Sequence, residues 1–195
     1  MGIYRLEEKL DAREVGNKAA FLSFMKNSGF NIPSGIVLGN DIFTKTVSEN
    51  KNECKVHLLL KVVSKNNAKD TAEKIAELYE GLTIPDEIKA EIGKYINPEK
   101  KYAVRSSGIK EDLSGLSFAG QYDTFINVCG IDEIADAVAK CYLSTYSETV
   151  LSYFAANGIP ADEAGMSVII EEMVDSDISG VAFTVNFLSG NDKEI

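Results

Sequence analysis

A chain of 195 residues with 45% apolar and 26% charged side chains is long enough for one ordinary domain or two small lobes, and too apolar to stay disordered. A net charge of −10 argues against a general nucleic-acid binder, no apolar run approaches the roughly 20 residues of a membrane span, and the polar stretch Met1 to Asp11 lacks the apolar centre of a signal peptide. Cys54, Cys129 and Cys141 are too widely spaced for a disulfide framework or a zinc site and suit a reducing cytoplasm.

In chain order, the first helix is expected from Glu14 to Asn27, with Val15, Ala19, Leu22 and Met25 on one face, Phe21 and Phe24 beside it, and Gly29 ending it. Pro33, Ser34 and Gly35 break the chain, Ile36-Val37-Leu38 reads as a buried strand, and Asp41 is a candidate cap for a short helix. The run Val56 to Val63 fits strand or helix equally well by periodicity. His57 lies inside it, and a lone histidine there reads as structural. Ala68 to Leu82 is amphipathic with helical period, and Pro85-Asp86 opens another helix carrying Ile88, Ile92 and Tyr95.

From Tyr102 the texture changes. Tyr102 to Val104 predicts a strand, Ser106 to Gly120 a polar loop, and Tyr122 to Val128 a second strand. Helices follow over Ile131 to Leu143 and Tyr146 to Phe154, then strands over Met166 to Ile170 and Gly180 to Val185. The order implies an α+β arrangement. Lys193-Glu194-Ile195 reads as the start of a further strand, so a domain truncated at its C-terminus is expected.

Charge is unevenly placed. Residues 1–100 balance, whereas residues 101–195 carry 5 basic against 15 acidic side chains. That surplus is either a solvated surface or compensation for a divalent cation. It also makes each basic residue near a glycine-containing loop conspicuous. Arg105 stands at a predicted strand end, where a guanidinium fork suits a phosphate. Ser106, Ser107 and Thr124 add hydroxyls, and Gly115 and Gly120 frame a loop whose amides suit phosphates. By composition alone the same stretch also reads as a surface loop rich in turn residues. There is no Walker A sequence, and no GxGxxG follows a strand.

Val104-Arg-Ser-Ser, Glu111-Asp-Leu, Ser117-Phe-Ala-Gly-Gln, Asp123-Thr and Ile126-Asn-Val together resemble, without gaps, the pattern V-R-S-S-x-x-x-E-D-L-x-x-x-S-F-A-G-Q-x-D-T-x-L-N-V. That pattern belongs to the nucleotide-binding domain shared by pyruvate phosphate dikinase, phosphoenolpyruvate synthase and rifampin phosphotransferase. Val15-Gly-Asn-Lys-Ala and the segment from Ser28 to Leu38 resemble its G-G-K-G and G-x-P-V-P-x-G-F segments. Val168-Ile-Ile-Glu-Glu-Met-Val and Ser179-Gly-Val-Ala-Phe-Thr resemble its V-x-V-Q-x-M-V and S-G-V-x-F-T strands.

The resemblance implies an ATP-grasp-like α+β fold, N-terminal portion only: two small lobes, 1–100 and 101–195, of mixed helices and mostly antiparallel sheet. It implies that Lys18 and Arg105 contact ATP phosphates and serve catalysis. Ser106, Gly120 and Thr124 would line the phosphate site, and Glu171 would stand beside the adenine, where the family usually has Gln. Ionised Glu only accepts hydrogen bonds, whereas Gln also donates. Asn17 and Ala19 replace the two glycines around the family's lysine.

The implied activity is ATP-dependent phosphorylation of a histidine on a separate swivelling domain, with onward transfer to pyruvate to give phosphoenolpyruvate. The implied partners are ATP, that phosphohistidine domain and a pyruvate-binding domain, in a cytoplasmic enzyme with no nucleic acid or membrane. Mg²⁺ ligands are expected outside this chain, which by itself is expected to be inactive. The alternatives are a rifampin-phosphotransferase-like enzyme and a non-catalytic nucleotide-binding or interaction module.

Overall fold

A computed structural model describes residues 2–109, 122–181 and 185. Among the described residues, five strands form one antiparallel sheet in the order β1-β2-β5-β3-β4: β1 Ile3–Arg5, β2 Gly35–Leu38, β3 Lys101–Gly108, β4 Thr124–Cys129 and β5 Met166–Glu172. The sheet takes β1 and β2 from one side of residue 100 and the other three strands from beyond it. Mixed helices and antiparallel sheet are the expected fold class.

Helices cover both faces. Helix α1, Ala12–Asn27, lies on one face, where Leu6, Val15, Ala19, Val37 and Ile169 form a small fully buried core. The other face carries the larger core, from Ile36, Leu38, Val104, Val168 and Ile170 to helices α2 Asn40–Ser48, α3 Glu53–Leu60, α4 Ala68–Leu78, α5 Asp86–Ile92, α6 Gly130–Ser144 and α7 Glu148–Asn157. Cover on both sides explains why β2 and β5 read as unbroken apolar runs instead of alternating ones.

Local chemistry sets the helix ends. Asp11 caps α1 by accepting from the Arg13 amide at 2.9 Å. Ser147 caps α7, which ends at Gly158 in the left-handed region. Asp41 does not cap α2. Gly39 holds that position, and the Asp41 carboxylate accepts from the Gly2 amide at 2.9 Å, tying the start of the chain to α2.

The ambiguous run from Val56 to Val63 is helical as far as Leu60, with Val56 and Leu60 buried, and its last three residues lie beyond the helix. β1 lies in the N-terminal stretch read as merely polar, and β3 runs to Gly108, beyond its expected end. Phe21 and Phe24 stack on each other at 6.2 Å but are 61% and 63% exposed, because they point away from the sheet. Gly180 and Val181 are not in a strand, and residues 182–184 of that expected strand lie outside the described residues.

Where β3 meets β4 the register slips. Tyr102 pairs with Val128 and Val104 with Phe125, so β4 contains one extra residue, with Asn127 at φ 59°. This is a β-bulge, and asparagine tolerates the left-handed conformation it needs. Beyond the bulge, Thr124 stands directly opposite Arg105.

Candidate nucleotide-phosphate site

Alternation along β3 decides which side chains share a face. Ala103, Arg105 and Ser107 point towards the α1 side, while Tyr102, Val104 and Ser106 point to the larger core. In register with them, β5 presents Ser167, Ile169 and Glu171 on the α1 side. Arg105 and Glu171 are therefore diagonal neighbours on one face. Arg105 Nη1 donates to Glu171 Oε1 at 2.7 Å. The arginine side chain is 41% exposed and the glutamate side chain 10%, so the carboxylate is fixed in the sheet while the guanidinium reaches its margin.

Lys18 stands just past a break in its helix. Gly16, at φ 74° and ψ 163°, interrupts α1 and divides it into two segments. A Cβ at Gly16 would lie 2.5 Å from Ser107 Oγ and 2.8 Å from the Gly108 carbonyl oxygen, so only glycine fits. The second segment opens with Asn17, Lys18 and Ala19, and Lys18 is half-buried. Ala19, one of the two residues replacing glycine, has its methyl group in the small core.

Ser107 Oγ donates to the Val15 carbonyl at 2.8 Å and accepts from the Ala19 amide at 3.3 Å. Ser107 is two residues from Arg105 on the same face, a separation of about 7 Å along a strand. β3 thus carries the arginine directly and contacts the residue next to the lysine.

The other expected residues are dispersed. Thr124 is exposed opposite Arg105. Ser106 is buried on the opposite face, its hydroxyl donating to the Asp123 carbonyl at 3.0 Å, so it is not brought to Arg105. Gly120 lies outside the described residues. The sequence offers Ser106 and Ser107 alike as hydroxyl donors and gives no sign of Ser167; Ser107 and Ser167 are both fully buried, and the period of two from Arg105 is the signal that separates Ser107 from Ser106. Among the described residues, no three His, Cys, Asp or Glu side chains are grouped to hold a metal ion, and no helix is long and apolar enough to cross a membrane.

The family model described as pyruvate phosphate dikinase, AMP/ATP-binding domain, matches residues 12–195. The chain belongs to this family. Over 200 residues it is 33% identical to a probable phosphoenolpyruvate synthase of Staphylothermus marinus, covering 96% of this chain and 24% of that protein. It is 30% identical to a rifampicin phosphotransferase of Bacillus subtilis, covering 99% and 23% respectively. It is also 30% identical to a phosphoenolpyruvate synthase of Pyrococcus furiosus, covering 96% and 28%. The chain thus spans about a quarter of the length of these curated relatives. Within the family match lie Lys18, Arg105, Thr124 and Glu171, and the helix break as well.

Proposed function

We propose that this chain is the ATP-binding portion of a dikinase-type phosphotransferase. In the complete protein, ATP phosphorylates a histidine on a separate swivelling domain, and that domain carries the group to pyruvate, giving phosphoenolpyruvate. The observation that carries this reading is the half-exposed Arg105 guanidinium, held by Glu171 at the margin of the α1-covered face in a chain of an AMP/ATP-binding family.

ATP supplies the activated phosphoanhydride, and the chain's own residues bind and orient it. Arg105 uses one N–H on Glu171 and has the rest of its fork for phosphate oxygens. Lys18 adds a second cation, and Thr124 a hydroxyl opposite Arg105. Such transfer rests mainly on positioning and charge neutralisation. Mg²⁺ accompanies the nucleotide and is held by groups outside this chain. Residues 1–195 form part of one nucleotide-binding domain, and by themselves they bind ATP weakly at most and do not complete transfer.

The phosphoenolpyruvate synthase relatives support pyruvate as the final acceptor. The rifampicin phosphotransferase match, over 99% of the chain, supports a second reading with that antibiotic as acceptor. Asn17, Ala19 and Glu171 favour a third, an interaction module without catalysis. Incubating the complete protein with labelled ATP separates the three. Acid-labile label discharged by pyruvate is expected, discharge by rifampicin alone selects the second reading, and no labelling with retained fold leaves the third.

A further inference from the structure

In an unbroken helix the Ala19 amide donates to the Val15 carbonyl and the Lys18 amide to the Glu14 carbonyl, each four residues back. Here the Ser107 hydroxyl occupies the first of these rungs. It accepts from Ala19 N at 3.3 Å and donates to the Val15 carbonyl at 2.8 Å. At the next rung, the Glu14 carbonyl accepts from Ser167 Oγ at 3.1 Å. Ser107 and Ser167 are cross-strand partners on β3 and β5, and both are fully buried. Two adjacent strands therefore each send one hydroxyl to a carbonyl just before the break at Gly16, and Ser107 also reaches the Ala19 amide just beyond it. A side chain entering the helix ladder is a recognised cause of a sharp kink.

We propose that Ser107, with Ser167 beside it, is a positioning residue for Lys18. The two hydroxyls hold α1 open at Gly16 and so fix the lysine at the start of the second segment relative to Arg105. The inference rests on the proposed role of Lys18 and Arg105 as phosphate contacts. It adds that β3 sets both cations, one through its own side chain and the other through the helix break. Without the Ser107 hydroxyl, nothing inserts between the Val15 carbonyl and the Ala19 amide, and the second segment is free to shift along its axis.

The test is a double-mutant cycle read by calorimetric titration of ATP·Mg²⁺ into the complete protein. Ser107→Ala is expected to weaken binding by about tenfold, the order of one charge-assisted hydrogen bond, with stoichiometry unchanged. In a Lys18→Ala background the same substitution should change affinity by less than about twofold, because the residue it acts through is gone. In an Arg105→Ala background its effect should persist. Loss of folded protein alone would lower stoichiometry and leave the dissociation constant unmoved. Should Ser107→Ala not fold, Ser167→Ala runs the same cycle. An undiminished effect in the Lys18→Ala background, or an unchanged dissociation constant in the wild-type background, overturns the inference while leaving the ATP reading intact. Failure of the complete wild-type protein to bind nucleotide overturns both.

Discussion

Arg105 on β3 and Glu171 on β5 are joined diagonally, not directly across the sheet: Arg105 is opposite Ile169, and Glu171 is opposite Ala103. Both side chains lie on the α1 face, and the 2.7 Å contact holds the guanidinium beside the Glu171 carboxylate. On the proposed reading the carboxylate has two opposing effects on an incoming polyanion: it orders Arg105, and it adds a negative charge beside the proposed phosphate position.

Substitutions at Glu171 separate those effects. Glu171→Gln keeps an acceptor for Arg105 and removes the charge, so ATP binding should tighten by about 1 kcal/mol or less. Glu171→Ala removes the acceptor as well and should weaken binding by a similar amount, about 1 kcal/mol, through a less ordered arginine. Titration calorimetry on both variants checks the order. Glu171→Ala binding as tightly as Glu171→Gln would show that the carboxylate does not orient Arg105.

Gly16 and Gly29 both have positive φ, 74° and 89°, but only Gly16 is crowded, since no heavy atom lies within 4 Å of a Cβ built at Gly29. Gly29→Ala should therefore cost only about 1 kcal/mol of backbone strain. Gly16→Ala adds a clash with β3 backbone and should cost about 2–4 kcal/mol. Urea unfolding of the two variants compares them, and equal costs would contradict the close approach of α1 to β3.

The Asp11 cap should appear in the acid limb of stability. The Arg13 guanidinium, and then the Arg13 amide, hold the Asp11 carboxyl down at about 2, against an ordinary 3.8. A depressed folded-state value means the contribution is fully present above the ordinary value and fades as pH falls towards about 2. The melting-temperature difference between wild type and Asp11→Ala should be constant near neutrality and close as pH drops from about 4 to about 2. A difference that persists at the acid end would mean the cap does not depend on ionisation.

Cys141 is buried, and burial first, with Asp123 second, pushes its thiol up to about 12. Cys54 and Cys129 are exposed. A thiol-specific disulfide reagent should label Cys54 and Cys129 in native protein, and Cys141 only after denaturant is added. Rapid native labelling at Cys141 would contradict the packing of α6 against the sheet.

The sequence disclosed elements with strong periodicity and left their pairing hidden. α1, α6 and the strands flanking residues 110–121 follow from period and punctuation. β1 was concealed because three residues, Ile3–Arg5, are too few to alternate visibly. Val56 to Val63 was undecidable because an apolar run has no period, and only the helical environment around it resolves the choice. At the site, Arg105 was conspicuous as a scarce basic residue. Its partner Glu171 lies 66 positions away, and only the β3–β5 register joins them. Ser106 and Ser107 are chemically identical neighbours. Strand alternation sends one to Asp123 and the other into the break of α1. That helix break is a tertiary event, since the inserting hydroxyls come from strands about 90 and 150 residues downstream.

Calorimetric titration of ATP·Mg²⁺ into the complete protein, as wild type and with Lys18→Ala, Arg105→Ala or a control substitution at Lys74, an exposed lysine on α4, tests the central claim most directly. The wild type and the Lys74→Ala control should bind alike, and Lys18→Ala and Arg105→Ala should each lose about 1–3 kcal/mol. No binding by the complete wild-type protein, or the same affinity in all four proteins, would contradict a phosphate site built on Lys18 and Arg105.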